Sequence, residues 1–130
     1  MIVDSSAIVS IIRREPDAAE LARIIETASS CRLSAANFFE AAIVLDSRRD
    51  PTQGRRYDDL LREAKVEIVA VDEAQARIAR EAYRDFGKGS GHPAKLNFGD
   101  CFAYALAKAT GEPLLYTGKD FSHTDVARAG

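Results

Sequence analysis

The stretch KLNFGDCFAYALAKATGEPLLYTGKDF, Lys95 to Phe121, sets an apolar helix directly before an apolar strand, and that order decides the fold. From Phe98 to Ala109 nearly every residue is apolar or small, among them Cys101, Phe102, Ala103, Tyr104, Ala105, Leu106 and Ala107. PLLYT, residues 113–117, then reads as a short strand. One residue breaks the pattern. Asp100 follows Gly99 at the start of a helix that otherwise belongs in a core. Aspartate is among the side chains least often buried without a partner or a metal.

Working outward, the same alternation recurs along the chain. MIVDSSAIVSII opens with a strand, Met1 to Val3, running into Asp4; Ser5 or Ser6 suits a helix N-cap, and Ile8, Ile11 and Ile12 carry helical spacing. EPDAAELARIIETA predicts a second helix with Pro16 in its first turn and a stripe of Leu21, Ile24 and Ile25. CRLS predicts a short strand, whose Ser34 caps the nearly all-apolar helix AANFFEAAIVLDSRR. DPTQG breaks that helix, and RRYDDLLREAK follows as an amphipathic one. VEIVAV is the clearest strand. DEAQARIAREAYRDF predicts a helix capped by Asp72, with Ala76, Ile78, Ala79, Ala82 and Tyr83 inward. GKGSGHP, residues 87–93, is the one glycine-rich loop. Strands alternating with helices predict an α/β fold, a parallel sheet sandwiched by α-helices, as one domain over residues 1–130.

Composition narrows the class. With 46% hydrophobic and 29% charged residues the chain is globular, and at 130 residues it buries a real core. Its apolar runs fall far short of the ~18 residues that cross a bilayer, and no basic segment followed by an apolar one opens it. Cys31 and Cys101 are distant and in apolar company, which predicts free buried thiols and a reducing cytoplasm. Eighteen Lys+Arg against 20 Asp+Glu give a net charge of −2, unpromising for nucleic acid. The sum hides distribution, because setting four acids aside in one metal site leaves 18 against 16. Local basic clusters stand at Arg48, Arg49, Arg55 and Arg56, and at Arg84, Lys88 and Lys95.

Four acids share one character. Asp4 ends the first strand, Asp120 lies just past the last, Asp100 opens the helix leading to that strand, and Glu40 interrupts NFFEAAIVL. Each has an ordinary explanation: Asp4 as a helix cap, Asp100 as an acid favoured by the helix dipole at ~0.3–1 kcal/mol, Glu40 on a partly polar face, Asp120 as a loop residue. Their agreement is less ordinary, since ligands gather at the carboxyl ends of parallel strands. Carboxylates in one pocket need a counter-charge, and Mg²⁺ or Mn²⁺ takes oxygen ligands. Two His and two Cys without ligand-pair spacing disfavour zinc. Acid-only sites suit phosphoryl chemistry. GKGSG follows a helix rather than a strand, so it is no phosphate loop. There is no G-x-S-x-G elbow, and His92 and His123 have no triad context.

MIVDSSAIVSII, ANFFEAAIVL, LNFGDCFAYALAK and PLLYTGKDF together resemble a PIN domain of the VapC-type toxin ribonucleases, over Met1 to about Val126. The resemblance implies a Mg²⁺ or Mn²⁺ site, RNA phosphodiester hydrolysis by in-line attack of water, a homodimer, and inhibition by a small cognate antitoxin. Residue by residue, Asp4 matches the first-strand metal acid, Glu40 the helix acid and Asp100 the acid opening the late helix. The fourth acid shifts in the family between the positions of Lys119 and Asp120; here only Asp120 is acidic. Asp4 and Asp100 are implied as direct ligands, Glu40 as ligand of a second metal or as base, and Asp120 as binding through water. Ser6 and Thr117 match hydroxyls that orient the acids, and Asn97 a position usually polar. From charge alone, Arg13, Arg14, Lys88 and Lys119 are candidates for RNA phosphates, with single-stranded or looped RNA as substrate.

Two rival readings stand beside this one. A catalytically silent PIN-like scaffold would bind RNA or protein without turnover. A small metal-dependent phosphatase with an Asp nucleophile commonly has a second Asp two positions on, where this chain has Ser6. For the antitoxin, the stripe Ile8, Ile11, Ile12, Leu21, Ile24 and Ile25, with the third helix, offers a groove.

Overall fold

The computed structural model describes residues 1–130. Four short strands, β1 (Ile2–Val3), β2 (Arg32–Ser34), β3 (Glu67–Val69) and β4 (Leu114–Leu115), form an all-parallel sheet in the order β3-β2-β1-β4. Six helices connect them: α1 (Ser5–Ile12), α2 (Ala18–Thr27), α3 (Ala35–Asp46), α4 (Pro51–Glu63), α5 (Glu73–Phe86) and α6 (Phe98–Thr110). Successive strand residues point to opposite faces, and the two cores divide accordingly. Ile2 and Leu114 pack with Ala79, Ala82, Leu106 and Tyr104 of α5 and α6. Val3, Leu33 and Leu115 pack with residues of α1 to α4, including Ile8, Leu21, Leu45 and Tyr57. The result is the expected sheet between two helical layers.

Strand order positions the site. From β1 the chain proceeds to β2 and β3 on one side, then returns to place β4 on the other side of β1. In open parallel sheets a crevice forms where the order reverses, outside the carboxyl ends of the strands. Here that point lies between Asp4, after β1, and Thr117 to Asp120, after β4.

Several local expectations change. The cap of α1 is Asp4, not Ser5 or Ser6: its backbone is extended and its carboxylate accepts from Ser6 N at 3.0 Å, so the helix begins one residue sooner. Pro16 lies outside α2, which begins at Ala18. DPTQG ends α3 but also starts α4, because Asp50 accepts from Thr52 N at 2.9 Å and Pro51 occupies the first turn. VEIVAV shrinks to the edge strand β3, since β2 offers it only Arg32, Leu33 and Ser34 to pair with. Ala79 and Ala82 face inward as expected, whereas Ala76 and Tyr83 are exposed.

The stripe proposed as an antitoxin groove is interior. Ile8, Ile12, Leu21 and Ile25 are buried and Ile11 and Ile24 pack against them, because α1 and α2 close on each other and on the sheet. Both cysteines are unpaired and buried. No helix is long and apolar enough to cross a membrane.

Candidate active site

Seven residues singled out from sequence, Asp4, Ser6, Glu40, Asn97, Asp100, Thr117 and Asp120, line one cleft of about 410 Å³ at the carboxyl ends of β1 and β4. They arrive from separate segments: the β1 end, α3, the start of α6, and the turn after β4. Asp4 is 1% exposed. Its Oδ2 serves the α1 cap, and its Oδ1 is buried with no hydrogen-bond partner. Burial pushes its carboxyl up to about 7, and the charges of Asp100 and Glu40 add to that.

Asp100 occupies the third position of α6 in a reciprocal capping box. Its backbone N–H donates to Asn97 Oδ1 at 2.9 Å, and its Oδ2 accepts from Asn97 N at 3.0 Å. The helix-start explanation is therefore correct as far as it goes. It leaves Asp100 half-buried, with its carboxyl pushed up to about 6 by burial first and then by Asp120 and Glu40. A residue serving only the helix dipole gains nothing from standing among three other acids. Asp120 opens a 3₁₀ turn, Asp120–His123, and is exposed.

Glu40 accepts from Ser5 Oγ and from Asn37 Nδ2, the latter at 3.2 Å. Asn37 is fully buried and also donates to Gly99 O at 2.9 Å, tying α3 to the start of α6. Gly99 is what lets Glu40 approach: a Cβ there would stand 1.8 Å from Glu40 Oε2. Gly99→Ala is expected to displace the Glu40 carboxylate and lower any catalytic activity of this cleft roughly 10- to 100-fold, since a misplacement near 1 Å costs about that much. Circular dichroism should show α6 intact, because alanine favours helix.

Sequence reasoning missed Ser5, Asn37 and two further acids, Glu15, which lines the cleft, and Asp17, which stands behind it. Asp17 stands at the N-cap position of α2 but makes no side-chain bond to that helix. It accepts instead from Ser10 Oγ of α1 and from Thr117 Oγ1 after β4. Thr117 N in turn donates to Ser6 Oγ at 3.3 Å. Asp17 thus staples the α1–α2 turn to the segment leading to Asp120. These hydroxyl bonds hold its carboxyl below its ordinary value, so its contribution is present at neutral pH and lost as pH falls through that depressed value. Asp17→Ala is expected to cost about 1–3 kcal/mol in urea unfolding at pH 7, and less below pH 4.

The basic candidates do not gather at the acidic cleft. Arg13 donates to Val44 O at 3.2 Å, and Arg14 and Lys119 are exposed outside the cleft lining. Lys88 lines a neighbouring apolar cleft instead. Local donors hold the carboxylates apart: Glu40 accepts from Ser5 and Asn37, and Asp100 from Asn97. As they stand, no three converge on one point as a closed ligand set does. The donor set nonetheless fits a hard divalent cation. It is oxygen-only, neither His nor Cys lines it, and Asp4 Oδ1 is a buried acceptor without a donor.

Comparison with known proteins identifies the family. The PIN domain model matches residues 1–127. Ribonuclease VapC28 of Mycobacterium tuberculosis is 57% identical over 129 residues, covering 99% of this chain and 97% of that protein. Among solved structures, Mycobacterium tuberculosis VapC20, a Sarcin-Ricin loop cleaving toxin, superposes with a TM-score of 0.74 at 15% identity, covering 97% of this chain and 95% of its own. A toxin–antitoxin complex from Klebsiella pneumoniae superposes with a TM-score of 0.69 at 13% identity, covering 93% and 89%. A chain whose sequence matches over nearly its full length, and whose acids meet at the reversal point of this sheet, belongs to the PIN-domain family in its VapC branch.

Proposed function

We propose that this protein is the toxin of a type II toxin–antitoxin pair, acting in the cytoplasm as a Mg²⁺- or Mn²⁺-dependent endoribonuclease under inhibition by a cognate antitoxin. The observation that carries the reading is the single cleft lined by Asp4, Glu40, Asp100 and Asp120, with Asp4 Oδ1 buried and unpartnered. Asp4 and Asp100 would hold the cation, with Glu40 and Asp120 beside it. When bound, the cation supplies the positive charge that polarises a phosphodiester and the water that attacks it.

The chain's own residues do the rest. The buried cap bond to Ser6 N fixes Asp4 and leaves its other oxygen without a partner of its own. Ser5 and Asn37 hold Glu40 where its carboxylate can take a proton from the attacking water. The Ser6–Thr117–Asp17 chain fixes the segment that carries Asp120. Single-stranded or looped RNA suits a cleft open to solvent, because its phosphates reach the acids without a duplex in the way. The similarity to a toxin–antitoxin complex supports an antitoxin partner, and an antitoxin side chain bearing positive charge would compete at the same acids. Homodimerisation belongs to the same reading, and sedimentation measures it.

The test is hydrolysis of end-labelled single-stranded RNA by purified protein with Mg²⁺, with Mn²⁺ and with EDTA. Cleavage with either metal and none in EDTA is expected. RNA binding without turnover at any metal would make the chain a silent scaffold, and hydrolysis of p-nitrophenyl phosphate but not RNA would make it a phosphatase.

A further inference from the structure

Next to the acidic cleft lies an apolar one of about 510 Å³, between α5 and the beginning of α6, and Asn97 lines both. Its character is different. Ala76 and Ala79 leave room on the α5 side, while the rings of Tyr83, Phe98 and Phe102 form walls. Phe98 is 78% exposed although it begins a helix made for the core, and Tyr83 is 52% exposed. Neither ring is loose: Phe98 meets Phe102 edge-on at 4.9 Å, and the Tyr83 hydroxyl donates to Lys88 O at 3.2 Å. Two exposed cations, Arg80 and Lys88, line the same space.

We infer that this cleft is a nucleobase subsite, holding the base of a nucleotide next to the scissile phosphate of single-stranded RNA. The inference rests on the ribonuclease reading and specifies its substrate contact. Flat aromatic faces bind unpaired bases by stacking. Arg80 and Lys88 complement the phosphate attached to such a base. A cleft of this size falls within the range of ~300–1,000 Å³ typical of small-ligand sites. The charge balance leaves room for such a contact. The chain's net charge is −2 and its reaction cleft is acidic, so general attraction to the RNA backbone is weak. Affinity then gains from a contact that does not depend on net charge, and the exposed ring of Phe98, two residues from Asp100, is placed to provide it. The cleft then selects for an unpaired base at one position beside the cut, with a purine favoured for its larger face.

The test separates binding from cleavage and uses the full chain. Affinity for a fluorescent single-stranded RNA octamer is measured by anisotropy in EDTA, for wild type, Phe98→Leu, Phe98→Tyr and Arg80→Glu. All three changes are at exposed positions, and circular dichroism checks the fold. Phe98→Leu and Arg80→Glu are expected to weaken binding about tenfold, and Phe98→Tyr to restore it, because stacking needs a ring and not merely apolar volume. In Mn²⁺, removing the base on one side of the cut should lower wild-type kcat/KM about tenfold and leave Phe98→Leu little changed. Unaltered RNA affinity and unaltered sensitivity to the missing base in Phe98→Leu would overturn the subsite. So would a Phe98→Leu effect confined to sedimentation, which would assign the cleft to a second copy of the chain. RNA bound through Phe98 but never cut keeps the subsite and ends the ribonuclease reading; RNA cut without regard to Phe98 does the reverse. Neither binding nor cleavage ends both.

Discussion

Asp4→Asn is expected to make the metal-free protein more stable at pH 8 while abolishing its activity. The Asp4 carboxyl is raised from 3.8 to about 7 in the folded chain, chiefly by burial. The folded state therefore keeps this proton to higher pH than the unfolded state does, and stability is lost as pH rises from about 4 to about 7. A displacement of that size corresponds to at most roughly 4 kcal/mol once both states are ionised. Asparagine retains an oxygen to accept from Ser6 N, so the α1 cap survives; its NH2 takes the buried place of Oδ1 without a partner, at a cost of about 1–3 kcal/mol, less than the charge it removes at pH 8. Melting curves in EDTA should show the midpoint difference moving progressively in the variant's favour from pH 4 to pH 8, with the variant higher at pH 8. Mg²⁺ should then raise the wild-type midpoint and leave the variant's nearly unmoved, because a ligand of the native state stabilises by mass action. Parallel curves from pH 4 to 8 would remove the case that this acid is held at a cost for a ligand.

Much of this site was legible in the sequence, for identifiable reasons. Asp4 and Asp120 flank apolar strands, and parallel topology puts strand ends together whatever the order of the strands. Asp100 and Glu40 stood out because each interrupts an apolar helix. Asp17 did not, since with Pro16 expected in the first turn it reads as an ordinary acid at a helix start, and only the folded chain brings Ser10 and Thr117 to it. Asn37 was hidden by the same limitation: its partners are Glu40, one turn away, and Gly99, in a distant helix. The α1–α2 part of the antitoxin groove was misread because an apolar stripe marks what is buried without saying by what, whereas Phe39 and Ile43 of the third helix do stand exposed. In Ile8, Ile12, Leu21 and Ile25 the stripe is buried by the chain itself. Tyr83 and Phe98 show the converse, apolar residues at helical spacing left at the surface beside the acids.

Asp100→Asn is expected to reduce RNA cleavage by roughly 10³-fold or more, the scale of losing several kcal/mol of charge stabilisation. The fold should not suffer. An asparagine oxygen at this position still accepts from Asn97 N, and the backbone N–H still donates to Asn97 Oδ1, so the capping box remains. Removing a half-buried charge whose carboxyl is raised to about 6 also relieves the cleft at neutral pH. An acid retained only for the helix start would lose a few tenths of a kcal/mol to about 1 on this change and leave activity intact. The two explanations of Asp100 therefore predict opposite results. The deciding measurement is mapping of cleavage sites on total RNA incubated with Mg²⁺ or Mn²⁺ and either wild type or Asp100→Asn, at matched folded concentration. Discrete cuts with wild type and none with the variant are predicted; the same cuts from both would contradict the account.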